Sequence, residues 1–481
     1  MAARPSPAAN LARFIEYWAA RSPSKVAIHF ERKDFTYAEL LIQVESAASC
    51  LRVKKGDRVA WLGYNSPEML VLLFALSRLG AILVPLNWRL TVAEHKEIIA
   101  DCAPKQLFCD SALEPHASQL GVPLGKLVFE AEKTEFPGDE ADDALIVYTS
   151  GTTARPKGAV LTQAALVWNA LNSFHAHDLR ETDHVLTALP MFHVGGLNIQ
   201  TLPALLAGAT VTLHKRFEPG AWLADVEKRR PTVSLLVPAA MRAVIGHPAW
   251  PGADLSSLKI LNSGSMVVPG SLIRAFHERG VPVGQVYGAT ETAPIATALL
   301  RGDAMRKPGS AGKPVPHCEV KLVDGEIWVK GPALMRGYWK DDFGLTREGW
   351  FRSGDLGRVD EEGFYWIVGR SKDVIISGGE NVHPAELENV LAECPAIAEA
   401  AVVGIPDPQW GEAACAAVVL NPGSTLPETE LMKLFESRLA RYKHPRRVVF
   451  LDELPKNALG KVQKLELRRL IDPQLDRAEP F

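Results

Sequence analysis

Short apolar runs rich in β-branched residues alternate with helix-period segments along most of the chain. The runs are KVAIHF, RVAWLG, AILVPLN, QLFCD, LIVYTS, HVLTALP, TVTLH, VSLLVPAA, KILNSG and VGQVYG. This strand, helix, strand rhythm predicts an α/β architecture with largely parallel, buried sheets. Between 312 and 370 the texture changes to close-spaced strands and turns, EVKLVDGEIWVKG and GRVDEEGFYWIVGR, where D-G and E-G mark hairpins of a small antiparallel subregion. After GRSKDVIISGGENVHPAELENVL the chain restarts. An amphipathic helix (385–393) is followed by strands AEAAVVGIPD and EAACAAVVL, a helix near 427–440 and a tail bearing lysine and arginine. The pattern predicts a large N-terminal domain over 1–371 and a small α+β C-terminal domain over 372–481.

The most apolar run, MLVLLFALSRLGAILVPL (69–86), is broken by Ser77, Arg78 and Gly80 and nearly ends in Pro85. It reads as a buried helix followed by a strand rather than a transmembrane segment. The N-terminal residues lack the apolar core of a secretory signal despite Arg4 and Arg13. They read as an amphipathic first helix capped by Asn10, with a short transit peptide as the alternative. The end DRAEPF carries no peroxisomal or lipidation address.

With 481 residues, 47% of them hydrophobic, the chain can bury sizeable cores in two or more domains. Its 53 basic and 56 acidic residues give a formal charge of −3, with no general attraction to nucleic acid or anionic membrane, so phosphate binding has to be local. The six cysteines show no C-x-x-C spacing, which argues against a zinc site or a disulfide framework and fits a reducing cytoplasm. No internal repeat or low-complexity segment is present.

Residues 148–158 read YTSGTTARPKG. A buried strand here enters a loop whose hydroxyls and backbone N–H groups can converge on phosphate oxygens. It is not a Walker motif, because Pro156 precedes Lys157 where glycine is required and Gly158 follows where Ser or Thr is required. The stretch resembles the signature loop of the adenylate-forming superfamily: acyl-CoA synthetases, luciferases and peptide-synthetase adenylation domains. Thr149, Ser150, Gly151, Thr152, Thr153 and Lys157 are then the implied ATP contacts, with Thr152 also implied at the Mg²⁺ and in catalysis. Ala154 departs from the usual glycine, at a cost of about 1 kcal/mol if positive φ is needed there.

Further motifs follow in the family's order. QVYGATET (285–292) resembles the nucleotide pocket, which implies Tyr287 against adenine, Gly288 for close backbone approach, and Thr290 and Glu291 toward phosphate and Mg²⁺. LNSGSMV (261–267) resembles the adenine-contacting turn, with Gly264-Ser265 where Gly-Gly is common. Asp355 in RSGDLG and Arg370 in IVGRSKD match the ribose and phosphate contacts. PKNALGKVQK (455–464) resembles the tail motif, and Lys461 is its catalytic lysine.

The resemblance implies two half-reactions: a carboxylate and ATP give acyl-adenylate and pyrophosphate, and a thiol then displaces AMP. Positioning and electrostatics carry such chemistry, and no G-x-S-x-G elbow is present for a protein nucleophile. It also implies a mobile C-terminal domain, with its hinge at Lys372. Gly378 and Gly379 are expected along the thiol tunnel, and Lys443, His444 and Arg446 on coenzyme A phosphates, with Arg447 in the same cluster.

LPMFHVGGLN (189–198) resembles the acyl-pocket motif, with His193 steering the carboxylate or gating the pocket. By analogy the pocket is lined by His193, Val194, Gly195, Ala239, Met266, Val286, Gly288, Ala293 and Pro294. These apolar positions disfavour dicarboxylic and amino-acid substrates. The expected substrate is a benzoate- or cinnamate-like aromatic acid or a medium- to long-chain fatty acid, since the tail resembles both 4-chlorobenzoate-type ligases and bacterial fatty-acyl-CoA synthetases. Two alternatives are a stand-alone adenylation enzyme loading a carrier-protein phosphopantetheine and a nucleotide-binding homologue without turnover. Homodimerisation is left open.

Overall fold

The computed structural model describes residues 10–127, 137–149, 156–266, 268–341, 345–377, 380–436, 438–457 and 460–472. Its contacts separate into two units: Met1–Met266 with Ala275–Lys321 and Trp328–Arg352, and Val267–Arg274 with Leu322–Ile327 and Ser353–Phe481.

The long apolar run of the first unit folds as the sequence predicts. Ser66 caps the helix Pro67–Leu79 by accepting from the Met69 N–H, Pro67 sits in the first turn, and Gly80 ends the helix at φ 67. The chain then enters the strand Ile82–Leu86, buried along its whole length. Each large aliphatic side chain buried in this way contributes roughly 2 kcal/mol. Arg78 is buried within the helix because its guanidinium reaches Glu16 at 2.6 Å and Glu45 at 3.6 Å. Asn10 caps Leu11–Arg21 as expected, its side chain accepting from the Ala12 N–H at 2.9 Å.

Two sheets organise this unit among the described residues. The nine-stranded sheet has the order 313–314, 297–298, 283–287, 260–263, 233–235, 184–187, 210–213, 26–30 and 33–36. Its six neighbouring strands from 283–287 to 26–30 are parallel, and antiparallel pieces flank them. The six-stranded sheet has the order 337–338, 157–162, 143–149, 82–86, 58–62 and 106–109. Parallel pairing there gives way to an antiparallel pair at 143–149 and 157–162. Ligand sites of such sheets form beyond the carboxyl ends of the parallel strands. The segments carrying His193, Gly264–Met266 and Gly288–Pro294 all follow such ends, those of His184–Thr187, Ile260–Ser263 and Val283–Tyr287.

The expected antiparallel subregion is a four-stranded sheet of 319–323, 326–330, 351–359 and 365–370. Its first turn has Asp324 at φ 51 and Gly325 at φ 80, the paired positive values of a tight hairpin. In the second unit, Ile397–Asp407 and Gly411–Leu420 form a long antiparallel hairpin, and the helix Pro384–Ala392 supplies Leu387 and Leu391 to the core beside it. The helix expected near 427–440 is shorter, Glu428–Lys433. Beyond it, Phe435, Glu436 and Arg438 donate to carbonyls three residues back, a tightening that turns the chain while burying Phe435 completely.

Among the described residues no helix is long and apolar enough to cross a membrane.

Candidate active site

The hairpin around the phosphate loop places Thr149 opposite Lys157, and the Thr149 hydroxyl donates to the Lys157 carbonyl at 3.4 Å. Ser150, Gly151, Thr152 and Thr153 lie outside the described residues. One residue before the pair, Tyr148 donates to Asp101 Oδ2, and burial pushes its phenol well above the ordinary range, so it anchors the strand as a neutral donor.

Lys157 Nζ lies 5.2 Å from the centroid of the Tyr338 ring and 3.8 Å from Asp341 Oδ2. Both members of that ion pair are about two-fifths exposed, so the contact is worth at most about 1 kcal/mol and leaves the ammonium available to phosphate. Tyr338 Oη donates to Glu291 Oε1 at 2.7 Å. Pairing with Ala159 fixes the Tyr338 backbone, and the Glu291 carbonyl accepts from the Met335 N–H at 2.8 Å. A cation and a carboxylate, both expected at the triphosphate, therefore meet the face and the hydroxyl of one ring.

The turn after Ile260–Ser263 holds Gly264 buried, and Ser265 and Met266 exposed. Ser265 takes φ 70, a conformation that costs a non-glycine residue roughly 1–2 kcal/mol and accounts for the more usual glycine. A Cβ on Gly264 would come within 2.7 Å of the Val286 carbonyl oxygen, and one on Gly288 within 1.7 Å of that of Pro294. Both glycines thus admit the chain's own backbone. Tyr287 is half-buried, Thr290 is buried, and Glu291 is half-buried in the one-turn helix Thr290–Thr292.

His193 caps a short helix, accepting from the Gly195 N–H at 3.0 Å through Nδ1. A neutral ring held this way carries its proton on Nε2, which makes that nitrogen a donor. A Cβ on Gly195 would sit 3.0 Å from His193 Nδ1 and 4.0 Å from Ser265 Oγ, so these three positions converge. Val194, Val286, Ala293 and Pro294 are buried, whereas Ala239 is exposed.

In the second unit, Arg370 Nε donates to Asp355 Oδ1 at 2.6 Å and Nη2 to the Ser353 carbonyl at 3.3 Å. Lys372 is exposed in the single turn Ser371–Asp373. Lys461 is exposed, with its backbone held at both ends: its N–H donates to Asn457 Oδ1 at 3.0 Å and its carbonyl accepts from the Asn457 N–H at 2.9 Å. Lys443 pairs with Glu386 at 2.6 Å, and His444 Nε2 lies 2.9 Å from the Leu439 carbonyl. Arg446 is exposed, its guanidinium 4.4 Å from the Trp410 ring centroid. Gly378 and Gly379 lie outside the described residues.

Residues 15–339 match the AMP-binding enzyme family, and residues 386–461 match the AMP-binding enzyme C-terminal domain. The chain belongs to the AMP-binding enzyme family. It is an AMP-forming acid–CoA ligase. Indoleacetate–CoA ligase of Aromatoleum aromaticum is 47% identical, over 96% of this chain and 98% of that protein. Feruloyl-CoA synthase of an Amycolatopsis species is 42% identical over 94% and 97%. The o-succinylbenzoate CoA synthetase of Bacillus subtilis, solved with its acyl-adenylate, superposes with a TM-score of 0.87 at 33% identity, covering 95% of this chain and 97% of that one. The same synthetase has been solved with ATP and a magnesium ion.

Two residues of this AMP-binding enzyme escaped the sequence reading. Tyr338 reaches Glu291 across 47 positions, and only the pairing of Gly337–Tyr338 with the strand after the phosphate loop reveals it. Trp410, in PDPQWGE, sits at a turn whose partner Arg446 immediately precedes the strand Arg447–Phe450. An aromatic residue flanked by polar ones was its only sequence signal.

Proposed function

We propose that this ligase joins an aromatic carboxylic acid to coenzyme A. In the first half-reaction a carboxylate oxygen attacks the α-phosphorus of ATP, and the bond to the bridging β-phosphate oxygen breaks to release pyrophosphate. In the second, the thiol sulfur attacks the acyl carbon of the adenylate, its proton is lost, and AMP departs.

His193 Nε2–H orients the incoming carboxylate, Lys157 and Lys461 offset charge along the triphosphate, and Asp355 accepts from the ribose hydroxyls. Thr149 to Thr153, Gly264, Ser265, Tyr287, Gly288, Thr290 and Arg370 complete the nucleotide contacts. Glu291 fits a magnesium site: it is a half-buried carboxylate with one oxygen fixed by Tyr338, and no group of three or more His, Cys, Asp or Glu competes for the ion among the described residues. Mg²⁺ bound there with Thr152 supplies charge neutralisation on the phosphates. Arg446 on Trp410 supports free coenzyme A over a carrier protein, offering a guanidinium to phosphate and an aromatic face to adenine. Rotation at Lys372, which lies between the two family-matched spans, exchanges Lys461 for the thiol. The unpaired state of all six cysteines supports a cytoplasmic setting.

The observation carrying the aromatic assignment is 47% identity, over nearly the full length, to a ligase named for indoleacetate. A thioester screen with arylacetic, cinnamic, benzoic and straight-chain fatty acids tests it. Aromatic acids are expected to exceed fatty acids at least about tenfold in kcat/KM, the discrimination one well-fitted pocket supplies. A preference for fatty acids overturns the substrate class, and absence of ATP–pyrophosphate exchange with every acid overturns the proposed site chemistry.

A further inference from the structure

Tyr338 lies outside the motifs assigned to chemistry, yet its side chain meets two residues of the proposed triphosphate site. Its hydroxyl donates to Glu291 Oε1 at 2.7 Å, and Lys157 Nζ lies 5.2 Å from its ring centroid. Among the described residues no other hydrogen bond holds the Glu291 carboxylate. The phenol itself is well located, because its strand is bound throughout: Arg336 N–H donates to the Val160 carbonyl at 2.9 Å, Trp339 N–H to that of Gly158 at 2.7 Å, and Tyr338 pairs with Ala159.

A carboxylate that binds a metal is oriented by the group hydrogen-bonded to its other oxygen. We infer that Tyr338 is a positioning residue for the nucleotide's metal ion, holding Glu291 Oε1 so that Oε2 is left to the cation while its ring face seats Lys157. The inference rests on the reading of Glu291 as the metal ligand. It assigns two jobs to separate parts of one side chain, the hydroxyl acting on the metal and the ring on the phosphate-binding ammonium.

Tyr338→Phe removes only the hydroxyl, and Tyr338→Leu removes the ring as well. The readout is Mn²⁺ binding followed by electron paramagnetic resonance on the full chain, with α,β-methylene ATP present so that no turnover occurs. Binding of the same analogue without metal is followed by calorimetry. Tyr338→Phe is expected to weaken Mn²⁺ about tenfold or more and to leave metal-free analogue binding unchanged, whereas Tyr338→Leu weakens both. Thermal unfolding of the ligand-free Phe variant within a few degrees of the parent separates positioning from a packing defect.

Mn²⁺ affinity in Tyr338→Phe equal to the parent's overturns the inference, as does equal weakening of metal and metal-free binding. Glu291→Gln is the control: if it binds Mn²⁺ normally, the metal assignment of Glu291 fails and the role of Tyr338 with it. If Glu291→Gln is weak and Tyr338→Phe normal, only the inference about Tyr338 fails.

Discussion

Arg370 donates through Nε to Asp355 Oδ1 at 2.6 Å, from a position directly opposite on the neighbouring strand. Arg370 is nearly half exposed, so the ion pair itself is worth at most about 1 kcal/mol. In the proposed site its value lies in presenting a located carboxylate to the ribose diol. Asp355→Ala is therefore expected to leave the melting temperature within a few degrees and to raise the KM for ATP roughly 10- to 100-fold, the loss of a hydrogen bond to a charged group. Steady-state kinetics with acid and coenzyme A saturating provide the check.

Lys461→Ala separates the half-reactions. Exchange of labelled pyrophosphate into ATP should fall about 10²- to 10³-fold, the cost of removing one donor from developing charge. Thioester formation from supplied acyl-adenylate and coenzyme A should persist. Equal loss in both assays contradicts the role given to this lysine.

His193→Ala removes the Nε2–H donor while the Gly195 N–H loses its acceptor. The kcat/KM for the acid is expected to drop about 10- to 100-fold, with the KM for ATP unchanged. An asparagine or glutamine at 193 restores a neutral donor and should recover part of the loss, a pattern that a purely steric gate does not produce.

Arg446→Ala and Trp410→Ala should each raise the KM for coenzyme A about 5- to 10-fold, and the double variant should lose less than the product of the two, because the side chains touch. Pyrophosphate exchange, which needs no thiol, should be untouched in all three. A change in exchange rate in any of them assigns the pair to folding instead.

Burial holds His95, His177 and His184 down to about 4. The folded chain keeps them neutral where the unfolded chain, with ordinary histidines near 6.5, takes up protons. Their contribution to stability is therefore complete above about pH 6.5 and is lost progressively as pH falls toward 4. For the fully buried His177, the loss at pH 5 is on the order of 2 kcal/mol. Melting curves should be flat from these groups above pH 7 and should decline between pH 6.5 and 5, and a flat profile across that interval contradicts the assignment.

What the sequence made legible was local. Thr149 and Lys157 flank one short loop, His193 and Gly195 are two apart, and the helix Pro67–Leu79 has its caps, Ser66 and Gly80, at the residues next to its ends. What it concealed depended on chain reversals. The bond from Tyr338 to Glu291 exists because a two-residue strand returns to the phosphate-loop hairpin, and the Arg446–Trp410 stack because parallel pairing beside Cys415–Val418 brings the basic segment back. The glycines show a third case. Gly288 was legible as a place of close approach, but not that Pro294 is what approaches. The helix of 428–433 reads longer in sequence because its apolar period continues into turns that bury Phe435.

The two glycines of the proposed acid pocket, Gly195 and Gly288, differ in how much freedom they leave to selection. At 288 even a methyl group would collide with main chain, whereas at 195 it would press only on an imidazole edge and approach a serine hydroxyl. Divergence toward bulkier or slimmer acids therefore has one wall it can move and one it must inherit. A lineage descended from this ligase is steered to rewrite 195 and its neighbours while 288 stays bare.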